Sequence, residues 1–304
     1  MIDQHYIPPG EPFEPILPKV TSGFDLYHLE YPKRKMILSP WLPERGLCMI
    51  AATRGIGKTY LALNIAISVA SGRSFLKWQA PEPKKVLYID GEMPKSDFQE
   101  RYKKAVEPIY DDFQFDNFDY LSHEDQEYGI SSLATENGQK FINGRACRAD
   151  LIIIDNIATL CGTAGENDSD AWRPVQSWAL QQRAAGRSVL FIHHANRNGS
   201  QRGTSAREDV LDSVISLQRP PNYVQSQGAR FEVHFTKTRG FYGPDAEPFE
   251  AKFADDQWIT NAIQSSAEPD DIRSYQDQGM SLREIGLRTG ISKSTVHRMV
   301  KGSL

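Results

Sequence analysis

One stretch constrains the fold more than any other, namely Met49–Thr59, with the sequence MIAATRGIGKT. It follows an apolar run, Leu47–Ala52, and it opens a pattern of apolar residues at helical spacing. A P-loop is built in this way, as a buried strand that enters a glycine-containing turn and then a helix. The backbone N–H groups of such a turn point inward, and the helix N-terminus adds a partial positive charge. The sequence therefore predicts a phosphate-binding site at this turn.

The side chains of the turn have separate expected roles. Lys58 would neutralise β- and γ-phosphates, and the Thr59 hydroxyl would bind Mg²⁺. The strict pattern requires glycine at position 52, and Ala52 fits the turn only if its φ stays negative. The alternative is a glycine turn that merely precedes a core helix. The residues predicted to bind the nucleotide are Thr53, Arg54, Gly55, Ile56, Gly57, Lys58, Thr59 and Tyr60, of which Arg54 and Tyr60 are candidates for contact with the base.

Composition narrows the class of protein. The 304 residues are 39% apolar and 24% charged, as in ordinary globular proteins, and no run of apolar residues reaches the length of a membrane span. The N-terminus lacks the pattern of a signal peptide. Cys48, Cys147 and Cys161 show no zinc-finger spacing, so we expect reduced thiols. These features predict a cytoplasmic protein with no membrane partner and no zinc site.

Strand and helix patterns alternate after the P-loop, and the strands are apolar on both faces. Such alternation predicts an α/β fold with a mostly parallel sheet flanked by helices. The expected strands are 85–90, 118–121, 151–155 and 188–193, and the expected helices are 96–106, 138–147 and 172–185. Beyond residue 210 the pattern changes to strands that we expect to form antiparallel hairpins at the C-terminal edge. The predicted divisions are an extended arm over 1–40, the main domain over 41–263, a linker over 264–270 and a small helical domain over 271–304.

Carboxylates follow two of the predicted strands. Asp155 comes after four apolar residues, which is the arrangement of a Walker B aspartate that holds Mg²⁺, although a helix N-cap would look the same. Glu92 lies just past the strand that follows the P-loop helix. Because ligands bind at the carboxyl ends of parallel strands, this carboxylate could orient or deprotonate an attacking water. Asp90 competes with it for that role.

A pair of histidines, His193 and His194, ends another predicted strand. Neighbours on a strand point to opposite faces, and no cysteine or third histidine is near, so zinc is a poor fit. We expect His194 to hydrogen-bond the γ-phosphate and act as a sensor of its presence.

In this order the motifs resemble a known family. The P-loop, Asp90-Gly91-Glu92, Asp155, His193-His194 and Arg202–Ala206 together resemble the RecA-like ATPases. Within these, the chain is most similar to hexameric replicative helicases, in particular the plasmid RepA type, over residues 40–262. The predicted fold is accordingly a RecA-like P-loop core with a small all-α domain after it.

The resemblance implies how the site works. It implies a homo-oligomer, a hexameric ring, that binds ATP and Mg²⁺ between subunits, with Glu92 as catalytic base, Asp155 on Mg²⁺ and His194 as switch. It also implies that Lys237 and Arg239 reach the neighbouring subunit's site. A guanidinium supplied in this way stabilises charge on the γ-phosphoryl oxygens. The alternative for these two residues is a basic hairpin exposed to solvent.

By the same resemblance, two loops would face the channel of the ring and contact single-stranded DNA. The loop 197–207 carries Arg197, Arg202 and Arg207, which suit phosphate contacts. The loop 161–170 is acidic at its tip, which argues against a DNA role there.

The C-terminal segment has the pattern of a helix-turn-helix. Ser281–Glu284 is a capping box, and Gly290 fits the turn before a second helix. The segment resembles the DNA-binding end of resolvases and invertases. The residues expected to contact duplex DNA are Lys293, Ser294, Thr295, His297 and Arg298. The alternative is a helical tail that docks on protein.

Three functions remain open on the sequence. The first is a Mg²⁺-dependent ATPase that acts on DNA as a ring-forming replicative helicase of a plasmid, phage or mobile element. The second is an ATP-switched DNA-binding regulator or adaptor. The third is a helicase loader or recombination mediator that hydrolyses ATP without unwinding.

Overall fold

A computed structural model describes residues 18–162, 169–194, 208–263, 269–289 and 293–300. By its contacts the chain divides into residues 1–34 and residues 35–304. In the first unit a short helix, α1 (Gly23–His28), begins where the Ser22 hydroxyl accepts a hydrogen bond from the Asp25 amide at 3.0 Å. This helix buries none of its own residues.

The second unit holds the remaining elements. Its strands are β1 (Met36–Leu38), β2 (Leu42–Pro43), β3 (Leu47–Ala52), β4 (Ser74–Phe75), β5 (Trp78–Gln79), β6 (Val86–Asp90), β7 (Phe118–Ser122), β8 (Leu151–Asp155), β9 (Ser188–His194), β10 (Ser213–Gln218), β11 (Arg230–Thr238), β12 (Phe249–Ala254) and β13 (Gln257–Ala262). Its helices are α2 (Lys58–Ser71), α3 (Lys95–Val106), α4 (Glu136–Ala146), α5 (Ile157–Leu160), α6 (Ser169–Ala184), α7 (Pro269–Asp277), α8 (Leu282–Thr289) and α9 (Lys293–Val300). Ile37 and Leu38, which lie within the stretch predicted as an extended arm (1–40), are buried in the core.

The main sheet, as far as the structure describes it, has the strand order β13-β12-β11-β10-β3-β9-β8-β6-β7. From β10 to β7 every neighbouring pair is parallel, and from β10 to β13 every pair is antiparallel. This confirms the predicted α/β fold with antiparallel strands at its C-terminal edge. One detail was wrong, because β10 was expected only in an antiparallel hairpin. Its other edge pairs in parallel with β3 and so extends the parallel sheet.

The sheet separates two apolar cores. Along β3 the side chains alternate, so that Cys48 and Ile50 join one core while Leu47 and Met49 join the other. Helix α2 contributes to the first core, and helices α4 and α6 contribute to the second. All six residues of β3 are buried, as expected of a central parallel strand covered on both faces.

The last three helices have a small core of their own, made of Ile272, Ile285 and Val296. Helix α8 begins with the predicted capping box. The Ser281 amide donates to the Glu284 carboxylate at 2.8 Å, and the Glu284 amide donates to the Ser281 hydroxyl at 3.3 Å. The predicted turn at Gly290 lies outside the described residues. None of the helices in the described ranges combines the length and the apolar content that crossing a membrane requires.

Candidate nucleotide site

The P-loop joins β3 to α2. Ala52 is the last residue of β3 and has no positive φ, so alanine is compatible with the position where the strict motif has glycine. Gly55 and Gly57 take the left-handed conformations, with φ of 73° and 109°. Residues with a Cβ rarely adopt such angles, so these two glycines allow the chain to turn sharply into the helix.

Lys58 is the first residue of α2 and is only 6% exposed. Its ammonium donates to the Thr53 carbonyl at 2.9 Å, which holds the side chain along the loop. Burial lowers the pKa of Lys58 to about 8, against the opposing attraction of Asp155 and Glu92. A buried ammonium with one carbonyl acceptor is well suited to receive an anionic oxygen.

Asp155 ends β8 and is 4% exposed. The Tyr88 hydroxyl donates to its carboxylate at 2.7 Å, and the Thr59 side chain also bonds to it. Burial raises the pKa of Asp155 to about 6, although both hydrogen bonds favour the charged form. The P-loop hydroxyl and the strand-end carboxylate are thus adjacent, and both are oxygen donors that Mg²⁺ prefers.

Glu92 lies just beyond β6, and its side chain is 60% exposed. Its carboxylate accepts from the Asn156 amide at 2.5 Å and lies 3.4 Å from His194 Nε2. Burial lowers the pKa of His194 below its ordinary value, and Lys58 lowers it further. Through these contacts Glu92, Asn156 and His194, which come from different strand ends, form one cluster of polar side chains.

Asp90 differs from Glu92 in that its carboxylate is already engaged. It is 2% exposed, accepts the amides of Glu92 and Met93 at 2.9 and 3.0 Å, and accepts the Tyr120 hydroxyl at 3.1 Å. A carboxylate with three donors holds the turn after β6 in place. The geometry therefore favours Glu92 over Asp90 for contact with a water.

These groups surround a cavity of about 460 Å³. Its lining residues are Arg54, Gly55, Gly57, Lys58, Thr59, Asp90, Glu92, Met93, Pro94, Asp97, Arg101, Asp155, Asn156 and His194. The strand register explains why these residues converge. Ala52 pairs with His194, and Asp155 pairs with Asp90, at the carboxyl ends of the parallel strands. Glycines with left-handed φ, a buried ammonium and a paired hydroxyl and carboxylate fit a magnesium nucleotide.

Three of the predicted nucleotide contacts, Thr53, Ile56 and Tyr60, are not among the residues that line the cavity. The Ile56 side chain is 1% exposed and belongs to the apolar core, so only its backbone serves the loop. The Tyr60 ring packs against Phe253 and Trp258, with ring centroids 4.8 and 5.7 Å apart. Tyr60 therefore stabilises the contact between α2 and the last two strands of the sheet.

Sequence analysis missed several residues of the site, and four of them are polar groups at the cavity or on its two key carboxylates. Tyr88 and Asn156 bond to the two key carboxylates, and Asp97 and Arg101 reach the cavity from α3. A tyrosine within an apolar strand, two residues before Asp90, was the available signal for Tyr88. No pattern marked the other three.

Lys237 and Arg239 lie at the opposite end of the sheet from the P-loop. Thr238 pairs with Ser213, and Ser213 pairs with Cys48, near the start of β3. The Lys237 ammonium bonds to the carbonyls of Glu208 and Asp209. The Arg239 side chain is 55% exposed, and its Nη1 lies 4.0 Å from Asp212 Oδ1. Neither residue can reach the cavity of its own chain.

The predicted DNA contacts are only partly described. Arg197, Arg202 and Arg207 lie outside the described residues, as do positions 163–168 of the acidic loop. On α9, Val296 is buried while His297 and Arg298 are exposed. The helix thus presents basic side chains on the face away from its small core. Lys293, Ser294 and Thr295 belong to the same helix.

Fold and site together define a RecA-like P-loop domain followed by a helix-turn-helix. The AAA domain family matches residues 15–200, more than half of the chain, and the protein belongs to that family. The IclR helix-turn-helix domain matches residues 274–302, which supports the predicted helix-turn-helix in the C-terminal segment. The match is to the IclR type, whereas the sequence was likened to the resolvase type.

Solved structures are similar in fold. A KaiC-like protein from Pyrococcus horikoshii superposes with a TM-score of 0.52 at 12% identity, covering 74% of this chain and 93% of its own. The flagellar accessory protein FlaH from Methanocaldococcus jannaschii gives a TM-score of 0.49 at 14% identity, covering 72% and 90%. The comparison with curated proteins gave no match.

Proposed function

We propose that this protein is a Mg²⁺-dependent ATP hydrolase that acts on DNA as a ring, in the manner of the plasmid RepA-type replicative helicases. The observation that carries the proposal is the convergence of Lys58, Thr59, Asp155 and Glu92 on one cavity at the carboxyl edge of the sheet. Each residue type suits one part of a magnesium triphosphate.

The side chains then have distinct roles. The Lys58 ammonium draws the β- and γ-phosphates into the loop, and Thr59 with Asp155 would hold Mg²⁺. Mg²⁺, when bound, neutralises charge on the phosphate oxygens. Glu92 accepts a proton from the water that attacks the γ-phosphorus, and its hydrogen bond from Asn156 keeps the carboxylate directed into the cavity. His194, beside Glu92, senses the γ-phosphate.

The position of Arg239 supports an assembly between subunits. An exposed guanidinium at the end of the sheet away from its own P-loop can serve catalysis only in another subunit's cavity. Lys237 bonds to the segment just before β10, which fixes the same end of β11. The site is therefore complete only when a second copy of the chain is present.

The IclR match and the exposed basic residues of α9 support duplex DNA as a further partner. We assign single-stranded DNA to the loop 197–207 on the basis of its three arginines.

Strand displacement on a forked duplex tests the proposal. We expect ATP-dependent unwinding by the protein and none by Lys58→Ala, because the variant lacks the charge that binds the phosphates. ATP hydrolysis without unwinding would replace the helicase with a loader or mediator. Tight duplex binding without hydrolysis would replace it with a regulator.

Mixed assemblies test the role of Arg239. We expect Arg239→Ala to bind nucleotide normally and to lose hydrolysis by about a thousandfold, the scale of an arginine finger. Adding Lys58→Ala subunits, whose own Arg239 is intact, should restore part of the activity. The control is Arg145→Ala, which removes an exposed arginine from α4. An unchanged rate for Arg239→Ala would remove this residue from the site.

A further inference from the structure

Arg219, the first residue after β10, contacts the P-loop from the side. One of its terminal nitrogens, Nη2, donates to the Gly55 carbonyl at 2.8 Å. The other, Nη1, donates to the Arg230 and Gly228 carbonyls at 2.8 and 3.1 Å. One guanidinium therefore joins the phosphate-binding turn to the start of β11.

The side chain is held in position for this contact. Its guanidinium carbon lies 3.7 Å from the centre of the Tyr223 ring, and the Tyr223 hydroxyl donates to the same Gly228 carbonyl at 3.1 Å. Only arginine combines a planar fork with stacking on an aromatic face, so lysine would keep the charge and lose the geometry.

The same two segments also lie close together at Gly57. A Cβ on Gly57 would lie 3.2 Å from the Ala229 Cβ and 3.6 Å from the Phe231 ring. The P-loop therefore passes residues 229 and 231 with little room for a side chain at Gly57.

The other end of β11 carries Lys237, and Arg239 follows its last residue. The strand runs from Arg230 to Thr238 and pairs with β10 from Glu232 to Thr238, with a register shift between Phe235 and Lys237. Its first residues contact the chain's own P-loop, and its last residues lie at the opposite end of the sheet.

We propose that Arg219 is a positioning residue that couples the P-loop of one subunit to the strand carrying Lys237 and Arg239. The inference rests on the proposed function, in which Arg239 serves a neighbouring site. Nucleotide bound to one subunit would then order the arginine that the subunit offers to the next.

Hydrogen–deuterium exchange of the full chain, with and without MgADP, tests this coupling. In the wild-type protein we expect nucleotide to slow exchange in peptides covering 53–60 and in peptides covering 226–240. Arg219→Lys should keep the first effect and lose the second. Arg219→Ala should in addition bind a fluorescent ADP about tenfold more weakly, because hydrogen bonds from a charged group to the loop are lost.

Arg73→Ala is the matched control, because Arg73 forms an exposed ion pair with Asp112. It should reproduce both wild-type effects. The measurements are repeated at a dilution where light scattering gives a monomer mass, so that protection by a neighbouring subunit does not contribute.

The outcomes separate this inference from the proposed function. Absence of protection over 53–60 in the wild-type protein would overturn the proposed function itself. Protection over 53–60 without protection over 226–240 would overturn the coupling alone. Wild-type behaviour of Arg219→Lys would show that the arginine fork is not the link. If Arg219→Ala does not fold, exchange over 226–240 in Arg219→Lys still tests the coupling.

Discussion

Replacing Asp155 by asparagine should make the nucleotide-free protein more stable at neutral pH. The carboxylate is 4% exposed and is deprotonated there, although burial raises its pKa to about 6 from an ordinary 3.8. The folded state thus carries a buried charge that the unfolded state exposes to water. Asparagine has nearly the same shape and keeps an oxygen that can accept from Tyr88.

The sign and size follow from linkage between pKa and stability. Because the folded protein binds this proton more tightly, the contribution of Asp155 to stability is greatest below pH 3.8 and is lost as the pH rises through about 6. A difference of about two pKa units corresponds to about 3 kcal/mol of unfolding free energy at pH 7. Between pH 5 and pH 7 the advantage of Asp155→Asn over the wild-type protein should grow by about 1 kcal/mol.

Urea unfolding at the two pH values measures this difference. Asp112→Asn, which changes a carboxylate that is 76% exposed, should stay within about 0.5 kcal/mol of the wild-type protein at both. Adding MgADP should stabilise the wild-type protein and have less effect on Asp155→Asn. An advantage of Asp155→Asn that is the same at pH 5 and pH 7 would refute the reasoning.

Three further substitutions test other parts of the structure. Gly57→Ala places a side chain at φ 109° and 3.2 Å from Ala229, so it should cost at least about 1 kcal/mol in urea unfolding and weaken binding of fluorescent ADP. An unaltered affinity would contradict the assigned loop geometry. Tyr88→Phe removes a donor from Asp155 and should cost about 1–2 kcal/mol in the same assay, and no loss would show that water replaces the hydroxyl. Val296→Ala should lower the unfolding midpoint of the C-terminal helices, measured by calorimetry, and should abolish duplex binding. ATP turnover should stay normal. Reduced turnover would show that these helices support the catalytic domain.

The sequence was sufficient to predict those features that depend only on residues close together in the chain. Leu47–Ala52 was predicted residue for residue, because a continuous apolar run before a glycine turn leaves little choice of strand bounds. Asp155 was placed at a strand end for the same reason. Parallel strands bring such ends to one edge, so the composition of the cavity followed from the motifs.

Features that depend on which elements become neighbours were not predictable. Tyr88 bonds to Asp155 across 67 positions of sequence, and only the pairing of β6 with β8 brings them together. The parallel pairing of β10 was missed because apolar strands look alike in either orientation. Tyr60 was expected at the cavity because it follows Thr59 in the sequence. Successive side chains on a helix point about 100° apart, however, and the Tyr60 ring packs against Phe253.

Because the side chains of β3 alternate, the sheet keeps the apolar cores on its two faces apart. A cavity opened beside Ile50 and one opened beside Met49 have no shared neighbours on the same face. The two cavities therefore affect different sets of side chains, although both act on the backbone of the same strand. Each core can accumulate sequence changes at its own pace while the strand that carries the phosphate turn stays in place.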